Sequence, residues 1–403
     1  MRGAPPLPYG WVIVAGLSVT ETVTWGIVYY GFPVFLRAME TELRASRVAV
    51  TGALSLGLAV SAAAALPVGR WLDRHGPRLL MTLGSCLATV LLVLWSRVET
   101  LAGLYAVWCL MGLVMATTLY EPAFAAIVQW FARHRDRALL TVTLAGGLAS
   151  TIFMPLATWL LARLGWRTAV LTLAAILALV TIPIHALVLR PPPASARETP
   201  GDATAALVPG VPLAGALRRV VFWVLAVAFV VGNFATTAVS VHMIPYLTQL
   251  GYSAAVAGAA VGWIGAMQLP GRLLFVPIAA WLGPRAVAAA IFVAQAAGMA
   301  LLALVGWLSG LAPVIVLLGA ANGMATLARA STVSEIFGRR HYGSISGAIA
   351  LGANGARALA PIGASMLYLA LGGYERLFWL LAAGLLLAGA AVLATKTRAA
   401  AEV

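Results

Sequence analysis

Charged side chains are scarce in this chain: 9% of its 403 residues are charged, whereas 62% are hydrophobic. With a mean hydropathy of +0.97, the chain has too little polar surface to coat a water-soluble globule. Cysteine is rare as well, and its two copies, Cys86 and Cys109, both lie inside apolar runs, which excludes a disulfide framework and a cysteine metal site. The composition predicts an integral membrane protein.

Signatures of enzymes are also missing. No nucleotide-binding loop, Ser-His-Asp set or metal-ligand cluster can be assembled from the mid-membrane residues, so we expect no catalytic site, no metal and no cofactor. The net charge of +14 comes from basic residues that stand singly or in twos and threes between apolar runs, without interleaved aromatic residues. That distribution is typical of membrane-protein loops, and we expect no nucleic-acid partner.

Twelve apolar runs are long enough to cross a bilayer, which takes about twenty residues per helix. We number them spans 1 to 12 and predict them at 11–37, 48–70, 78–96, 101–131, 138–163, 167–189, 218–249, 253–282, 285–307, 311–337, 343–370 and 375–395. A polar segment between spans 6 and 7 begins with the letters RPPP and is predicted to be a linker. The chain is therefore predicted to be all-α, with an N-terminal bundle (1–189), a linker (190–217) and a C-terminal bundle (218–403).

Basic residues predict the orientation of these spans. If both termini lie on one side of the membrane, that side holds sixteen basic residues and the other side holds seven. The positive-inside rule then places both termini and the linker in the cytoplasm. We expect a multi-pass monomer of the inner membrane.

A charged loop broken by glycines separates spans 2 and 3: residues 69–78 read GRWLDRHGPR. The two glycines permit a tight turn, the arginines hold the loop at a cytoplasmic lipid surface, and the acid can bind a helix N-terminus. The candidate gating residues of this loop are Gly69, Asp73, Arg74, Gly76 and Arg78.

The second half of the chain repeats the first. A damaged copy of the loop, PIAAWLGPR, begins at Pro277 and lacks the acid. Matching residues recur at spacings of 206 to 212 positions: Trp11 and Trp223, Pro33 and Pro245, Trp71 and Trp281, Gly76 and Gly283, Arg78 and Arg285, Phe131 and Phe337, and Pro155 and Pro361. These matches predict an internal duplication of six helices.

The loop resembles the G-x-x-x-D-R-x-G-x-R/K pattern of the major facilitator superfamily, and the duplication resembles the two parallel halves of that fold. The resemblance implies two pseudo-symmetric six-helix bundles with a substrate site between them near the bilayer midplane. It also implies that spans 1, 4, 7 and 10 line the site.

Ionisable residues inside the spans are candidate functional groups, because a charge in the bilayer is costly and usually faces a cavity or a partner. The two acids, Glu21 and Glu121, lie in the first half of the chain, whereas the three arginines of the set lie in the second half. With the histidine of the set neutral, the net charge of these residues is plus one. This excess suits an anion and grows if one acid carries a proton, which predicts coupled transport of an anion and protons. The set is Glu21, Glu121, His242, Arg272, Arg329 and Arg357.

Helical spacing groups the polar and aromatic residues of spans 1, 7 and 10 on shared faces. From these faces and the ionisable set we predict that the substrate-binding residues are Arg272, Arg329, Tyr29, Trp25, Asn233, His242 and Asn322. The family resemblance described next adds Gln268 to these candidates.

Within the superfamily, residues 10–14 (GWVIV) resemble the G-W-x-V-V entry of the proton-linked monocarboxylate transporters, and Gln268-x-x-x-Arg272 resembles their Asp-x-x-x-Arg pair. The resemblance implies that Arg272 binds the substrate carboxylate with its two-pronged guanidinium. Two features depart from that family: Gln268 replaces the acid, and span 1 has no lysine, since Lys396 is the only lysine in the chain. Proton coupling must then use another acid, with Glu121 as first candidate and Glu21 as second.

Structural roles are the alternatives for several of these residues. Glu121 can form a bridge to Arg329, His242 can be a hydrogen-bonded lining residue, and Arg357 can lock span 11 to a neighbouring helix. The alternative function is efflux of drug-like or amphiphilic compounds, or a transporter-like sensor. The arginine excess and the lack of a Gly-Pro pair in span 5 argue against the efflux of cations.

Overall fold

The structure is a computed structural model that describes residues 9–131, 134–191, 210–305 and 311–395. Within these ranges the chain forms twelve long helical spans close to their predicted positions. The first six are Tyr9–Glu42, Arg47–His75, Pro77–Trp95, Leu101–Trp130 and the two parts of Arg135–Val188, which Gly165 separates. The second six are Val220–Gln249, Ala254–Leu282, Pro284–Ala303, Ala312–Phe337, Tyr342–Leu371 and Tyr374–Ala394.

Span 1 is not a uniform α-helix. Its first part, Tyr9–Thr24, is followed by the π-helical segment Trp25–Tyr29 and then by Gly31–Glu42. The wider turn closes with a hydrogen bond of 3.0 Å from the Tyr30 N–H to the Trp25 carbonyl. Short π-helical segments that interrupt α-helices are frequent at functional sites.

The chain groups into two compact units: Met1–Pro209 with Arg339–Ala348, and Gly210–Gly338 with Ile349–Val403. The first two turns of span 11 therefore belong to the first unit, and the rest of that helix belongs to the second. Residues 192–209 of the predicted linker lie outside the described residues. From Gly210 onward the chain packs with the second unit, where the Val211 N–H donates to the Phe337 carbonyl at 3.0 Å.

Each unit has its own aromatic centre. In the first unit, Trp95 and Trp108 meet edge to face at 5.2 Å between ring centroids, and Phe32 packs on Trp108 at 4.5 Å. In the second unit, Tyr246 on span 7 contacts Tyr374 and Phe378 on span 12 at 5.6 and 5.2 Å. Buried aromatic pairs of this kind add to the van der Waals contacts that hold membrane helices together.

The duplication is visible in the backbone of the turns. Gly76 and Gly283 both have positive φ angles, 74° and 79°, and each is followed by a proline that starts the next helix. Arg78 then donates to the Ala186 carbonyl at the end of span 6 (2.8 Å), and Arg285 donates to the Leu393 carbonyl at the end of span 12 (2.6 Å). The sequence predicted that Arg78 holds the loop at the lipid surface, whereas its guanidinium binds a helix C-terminus, where a cation is favoured.

Candidate transport site

Asp73, in the last turn of span 2, binds the beginning of span 11. Its two carboxylate oxygens accept hydrogen bonds from the backbone N–H groups of Gly343 and Ser344, at 2.7 and 2.8 Å. These N–H groups belong to the first turn of the helix, where backbone donors lack an intrahelical partner and attract negative charge. The contact is the helix N-terminus that the sequence predicted for this acid.

A very close crossing of spans 2 and 11 surrounds this contact. A Cβ atom added to Gly69 would lie 2.0 Å from the Gly343 carbonyl oxygen, and one added to Gly347 would lie 2.4 Å from the Ala65 carbonyl oxygen. Only glycine permits such an approach of two backbones. Arg74 lies on the surface of the protein at the end of span 2.

Arg339, which precedes span 11, is half-buried in the same unit. Burial and then the like charge of Arg135 lower the pKa of its guanidinium. An arginine shifted in this way still carries its charge at neutral pH.

Glu121 on span 4 binds the same end of span 11. The Ser346 hydroxyl donates to its Oε2 at 3.0 Å, and Ser346 is itself buried. Two acids of the first unit, Asp73 and Glu121, therefore hold the segment from Gly343 to Ser346. Ser346 was not expected from the sequence, because the resemblance pointed to spans 1, 4, 7 and 10 as lining helices.

Glu21 on span 1 has a different environment. It is 0% exposed, and neither carboxyl oxygen accepts or donates a hydrogen bond among the described residues. The hydroxyl of Thr24 and the indole N–H of Trp25, three and four residues further along the chain, are buried without a hydrogen bond too. Residues at this spacing share one face of a helix, so the polar atoms of Glu21, Thr24 and Trp25 are neighbours.

Aromatic rings surround the π-helical segment. Trp25 contacts Tyr29 at 5.1 Å, Tyr30 at 6.4 Å and Tyr120 of span 4 at 5.0 Å. These rings are partly exposed within the first unit. The predicted substrate residues Trp25 and Tyr29 therefore belong to one aromatic cluster that joins spans 1 and 4.

Three predicted residues of the second unit lie on spans 8 and 10. Arg272 is buried, with 8% of its surface exposed. Arg329 and Gln268 are half-buried, and the Gln268 carbonyl lies where a Cβ on Gly323 would collide with it, at 2.1 Å. Spans 8 and 10 thus pack backbone against backbone near the predicted substrate arginine.

Asn322 already has partners on two other spans. Its Oδ1 accepts hydrogen bonds from the Thr236 hydroxyl of span 7 (3.0 Å) and from the Gln295 amide of span 9 (2.8 Å). Gln295 is 2% exposed. The side-chain oxygen of Asn322 is thus part of a buried polar junction, which leaves only its N–H groups for the predicted substrate contact. The sequence did not indicate Gln295, because one polar residue in an apolar run has no periodicity. It did not indicate Thr236 either, because Thr237 stands beside it and the sequence does not show which of the two faces another helix.

Asn233 and His242 are hydrogen-bonded as well. The Arg357 guanidinium of span 11 donates to Asn233 Oδ1 at 3.1 Å, so Arg357 does connect span 11 to a neighbouring helix. His242 Nε2 lies 3.4 Å from the Ser365 hydroxyl, which itself donates to the Pro361 carbonyl. The tautomer of the histidine decides which of the two side chains donates in this contact.

One further buried group was missed. His185, in the π-helical end of span 6, lies 2.8 Å from the Ser85 hydroxyl of span 3 and is completely buried. No group of three or more His, Cys, Asp or Glu residues that could hold a metal ion occurs in the described ranges.

Comparisons with known proteins agree with this architecture. The family model of the Major Facilitator Superfamily matches residues 18–361. Monocarboxylate transporter 13 of Bos taurus is 28% identical over 285 residues, which are 70% of this chain and 63% of that protein. Monocarboxylate transporter 11 of Mus musculus is 31% identical over 64% of this chain and 58% of its own length. The oxalate:formate antiporter of Oxalobacter formigenes is 25% identical over 57% of this chain and 54% of its own length. In each case less than two thirds of the relative is matched.

Solved structures have the same fold. The E. coli fucose:proton symporter superposes with a TM-score of 0.71 at 13% identity, covering 96% of this chain and 99% of that chain. The human organic anion transporter TETRAN superposes with a TM-score of 0.69 at 16% identity, covering 96% and 100%. Because the family model covers most of the sequence and the helices form the same fold, the chain is a multi-pass membrane protein that belongs to the Major Facilitator Superfamily, as residues 69–78 predicted.

Proposed function

We propose that this protein is a secondary transporter that moves a small organic anion of the short-carboxylate class together with protons. The observation that carries the proposal is Arg272, an arginine buried inside a membrane span. An intramembrane charge is costly and usually serves a substrate or a partner, and a guanidinium matches a carboxylate with two parallel hydrogen bonds. The relatives named as monocarboxylate transporters and as an oxalate:formate antiporter support an anionic carboxylate.

Arg329 is the second candidate cation for the anion, and Trp25 and Tyr29 are candidates for its apolar part. Asn233, His242, Asn322 and Gln268 remain candidate substrate residues through the polar atoms that their helix contacts leave available. The contact of Asp73 with the start of span 11 supports a gating role for residues 69–78. Glu121 and Glu21 are the two candidate acids for the proton.

The substrate class is tested with purified protein in liposomes. Uptake of radiolabelled formate, oxalate, pyruvate and lactate is measured with and without an inward proton gradient. We expect at least one of these anions to accumulate, and to accumulate further with the gradient. Transport of none of them, together with transport of a cationic dye, would favour the efflux function instead.

Arg272→Lys is the sharpest variant for this proposal. Lysine keeps the positive charge but loses the planar pair of donors, so we expect a large fall in uptake and a raised apparent KM. Arg97→Lys, which changes an exposed arginine between spans 3 and 4, is the matched control and should transport like the parent. Unchanged affinity in correctly inserted Arg272→Ala protein would exclude Arg272 as the carboxylate ligand.

We also propose that both termini and the linker face the cytoplasm, as the distribution of basic residues predicts. Ser195→Cys tests this orientation, since Ser195 falls in the linker. A membrane-impermeant thiol reagent added to sealed cells should leave this cysteine unlabelled and should label it after the cells are opened. Equal labelling before and after opening contradicts the orientation.

A further inference from the structure

Glu21 and Thr24, two of the three buried side chains of span 1 without a hydrogen bond, have counterparts in the second half of the chain. At the spacing of 212 positions that relates Trp11 to Trp223 and Pro33 to Pro245, Glu21 corresponds to Asn233 and Thr24 to Thr236. Both counterparts are hydrogen-bonded to other spans, Asn233 to Arg357 at 3.1 Å and Thr236 to Asn322 at 3.0 Å. The same two helix positions therefore have hydrogen-bond partners on other spans in the second half, and none among the described residues in the first half.

The sequence explains why Thr24 lacks the partners that Thr236 has. Asn322 corresponds to Ala116 at the spacing of 206, and Gln295 corresponds to Ala88 at the spacing of 207. Both alanines are buried in the first unit. Methyl groups cannot make a hydrogen bond with the Thr24 hydroxyl, so the partner positions of Thr24 are apolar. Arg357, the partner of Asn233, corresponds to Thr151 at the spacing of 206, and this exposed hydroxyl side chain makes no hydrogen bond with Glu21.

No charged group among the described residues is hydrogen-bonded to Glu21. The segments packed against this part of span 1 are Arg135–Gly147, Ala149–Pro183, Tyr120–Trp130 and Ile184–Val188. Their ionisable side chains have other contacts or lie on the surface: Asp136 pairs with Arg135, Arg167 with Glu42, Glu121 with Ser346 and His185 with Ser85, while Arg137 and Arg163 are exposed. None of these described groups makes a hydrogen bond or an ion pair with Glu21. An ionised carboxylate in such a place would be very costly, whereas a protonated one is tolerated.

A cluster of buried polar atoms without protein partners has the chemistry of a water site. A buried water makes about three hydrogen bonds to groups that would otherwise be unsatisfied. Here it would accept from the Trp25 indole N–H and exchange hydrogen bonds with the Thr24 hydroxyl and the Glu21 carboxyl. The π-helical segment Trp25–Tyr29 makes the backbone of span 1 irregular directly beside this cluster.

We propose that Glu21, Thr24 and Trp25 form the proton-loading site of the transporter, in which Glu21 exchanges the coupled proton with a bound water molecule. On loading, a hydronium ion beside Thr24 and Trp25 transfers one proton to the ionised Glu21 carboxylate. One O–H bond of the hydronium ion breaks and one O–H bond forms on Glu21, so a neutral carboxyl group and a neutral water molecule result. Unloading reverses the step and returns the proton to water on the other side of the membrane. Glu121, whose carboxyl is bound by Ser346, then holds the start of span 11 and does not store the proton.

This inference rests on the proposed proton-coupled transport, but its first test needs no substrate. Infrared difference spectra of the purified protein in lipid nanodiscs, recorded between neutral and alkaline buffer, report the carbonyl stretch of carboxyl groups that are still protonated at neutral pH. The parent protein should show one such band, and Glu21→Gln should lose it. Glu121→Gln should keep it. Absence of the band in the parent protein, or its loss in Glu121→Gln with retention in Glu21→Gln, overturns the assignment.

Matched variants separate the water site from general disturbance of the helix. Thr24→Val keeps the side-chain shape and removes the hydroxyl, so the band should shift in frequency. Thr236→Val makes the same change at the equivalent position of span 7 and should leave the band unshifted. Glu21→Asp puts a different acid at the same position and should show a band. That band would show that Glu21→Gln loses its band because the acid is absent and not because the protein is misfolded. Identical spectra for Thr24→Val and the parent protein contradict the part assigned to Thr24.

The transport experiment then distinguishes the two proposals. With an anion that the parent protein accumulates, Glu21→Gln should lose accumulation driven by the proton gradient and keep exchange of labelled for unlabelled anion. Gradient-driven accumulation by Glu21→Gln as high as in the parent protein overturns the loading site but not the proposed function. If no carboxylate in the panel is transported, the proposed function fails, while the infrared bands still decide whether Glu21 carries an exchangeable proton.

Discussion

Spans 1 and 7 occupy equivalent places in the duplicated chain, yet their polar residues have opposite hydrogen-bonding environments. In span 7, Asn233 and Thr236 are hydrogen-bonded to side chains of spans 11 and 10. In span 1, Glu21 and Thr24 have no such bonds within the described residues, and the helix widens into a π-helical segment directly after them. The satisfied junction holds helices together, whereas the unsatisfied acid is suited to a group that must gain and lose a proton.

The turns after spans 2 and 8 are alike in the two halves of the chain, in contrast to these polar positions. Gly76 and Gly283 have nearly the same backbone conformation, and the arginines two residues later bind the ends of spans 6 and 12 in the same way. A turn with positive φ tolerates few residues, so both copies kept the glycine. Close packing was not kept, because Gly69 corresponds to Ala279 at the spacing of 210.

The largest effect is expected where the two halves differ in packing. Gly69→Ala would place a Cβ 2.0 Å from the Gly343 carbonyl oxygen, and a backbone oxygen cannot move aside without moving span 11. We expect overpacking to cost about 1–3 kcal/mol of stability or more, together with a loss of transport. The reverse change in the other half, Ala279→Gly, should cost about 1 kcal/mol. The stability of both variants is measured as the melting temperature in detergent, which is followed by the reaction of Cys86 and Cys109 with a thiol-reactive dye. Equal falls in melting temperature for the two variants would contradict the close crossing of spans 2 and 11.

A smaller and equal effect is expected where the two halves agree. Gly76→Ala and Gly283→Ala each force a Cβ atom into the left-handed region, at φ angles of 74° and 79°. Each should cost about 1–2 kcal/mol. Their melting temperatures should fall by the same amount and their apparent affinity for the anion should stay unchanged. A large difference between the two shifts would show that the turns are not equivalent.

The smallest effect is expected from Asn233→Asp, which gives span 7 an acid at the position of Glu21. Since the Arg357 guanidinium already lies 3.1 Å from this side chain, the new carboxylate should stay ionised and add no infrared band of a protonated carboxyl at neutral pH. The double variant Asn233→Asp with Arg357→Ala removes the cation and should add such a band. A band in the single variant would mean that the helix position, and not the missing partner, decides the protonation of Glu21.

Much of the architecture followed from residue patterns. The twelve apolar runs predicted the spans because a bilayer sets the length of a helix, and the glycines at 76 and 283 predicted turns because few other residues adopt a positive φ. The acid of residues 69–78 was expected at a helix N-terminus, and it is found at the start of span 11. The polar partners were not predictable in the same way: the importance of Ser346, Thr236 and Gln295 comes from the helix opposite each of them, which the sequence does not show.

The sequence by itself determined that this protein is a duplicated bundle of membrane helices with two acids in its first half and three arginines in its second. Both properties are local: hydropathy and charge can be counted along the chain, and the bilayer permits few other ways to satisfy the backbone. Only the tertiary structure decided which acid is bound by a partner and which is not. Glu121 and Glu21 look alike in the sequence, but the partners of a buried side chain come from helices distant along the chain. Packing placed a serine of span 11 against Glu121 and no hydrogen-bonded donor of another described span against Glu21.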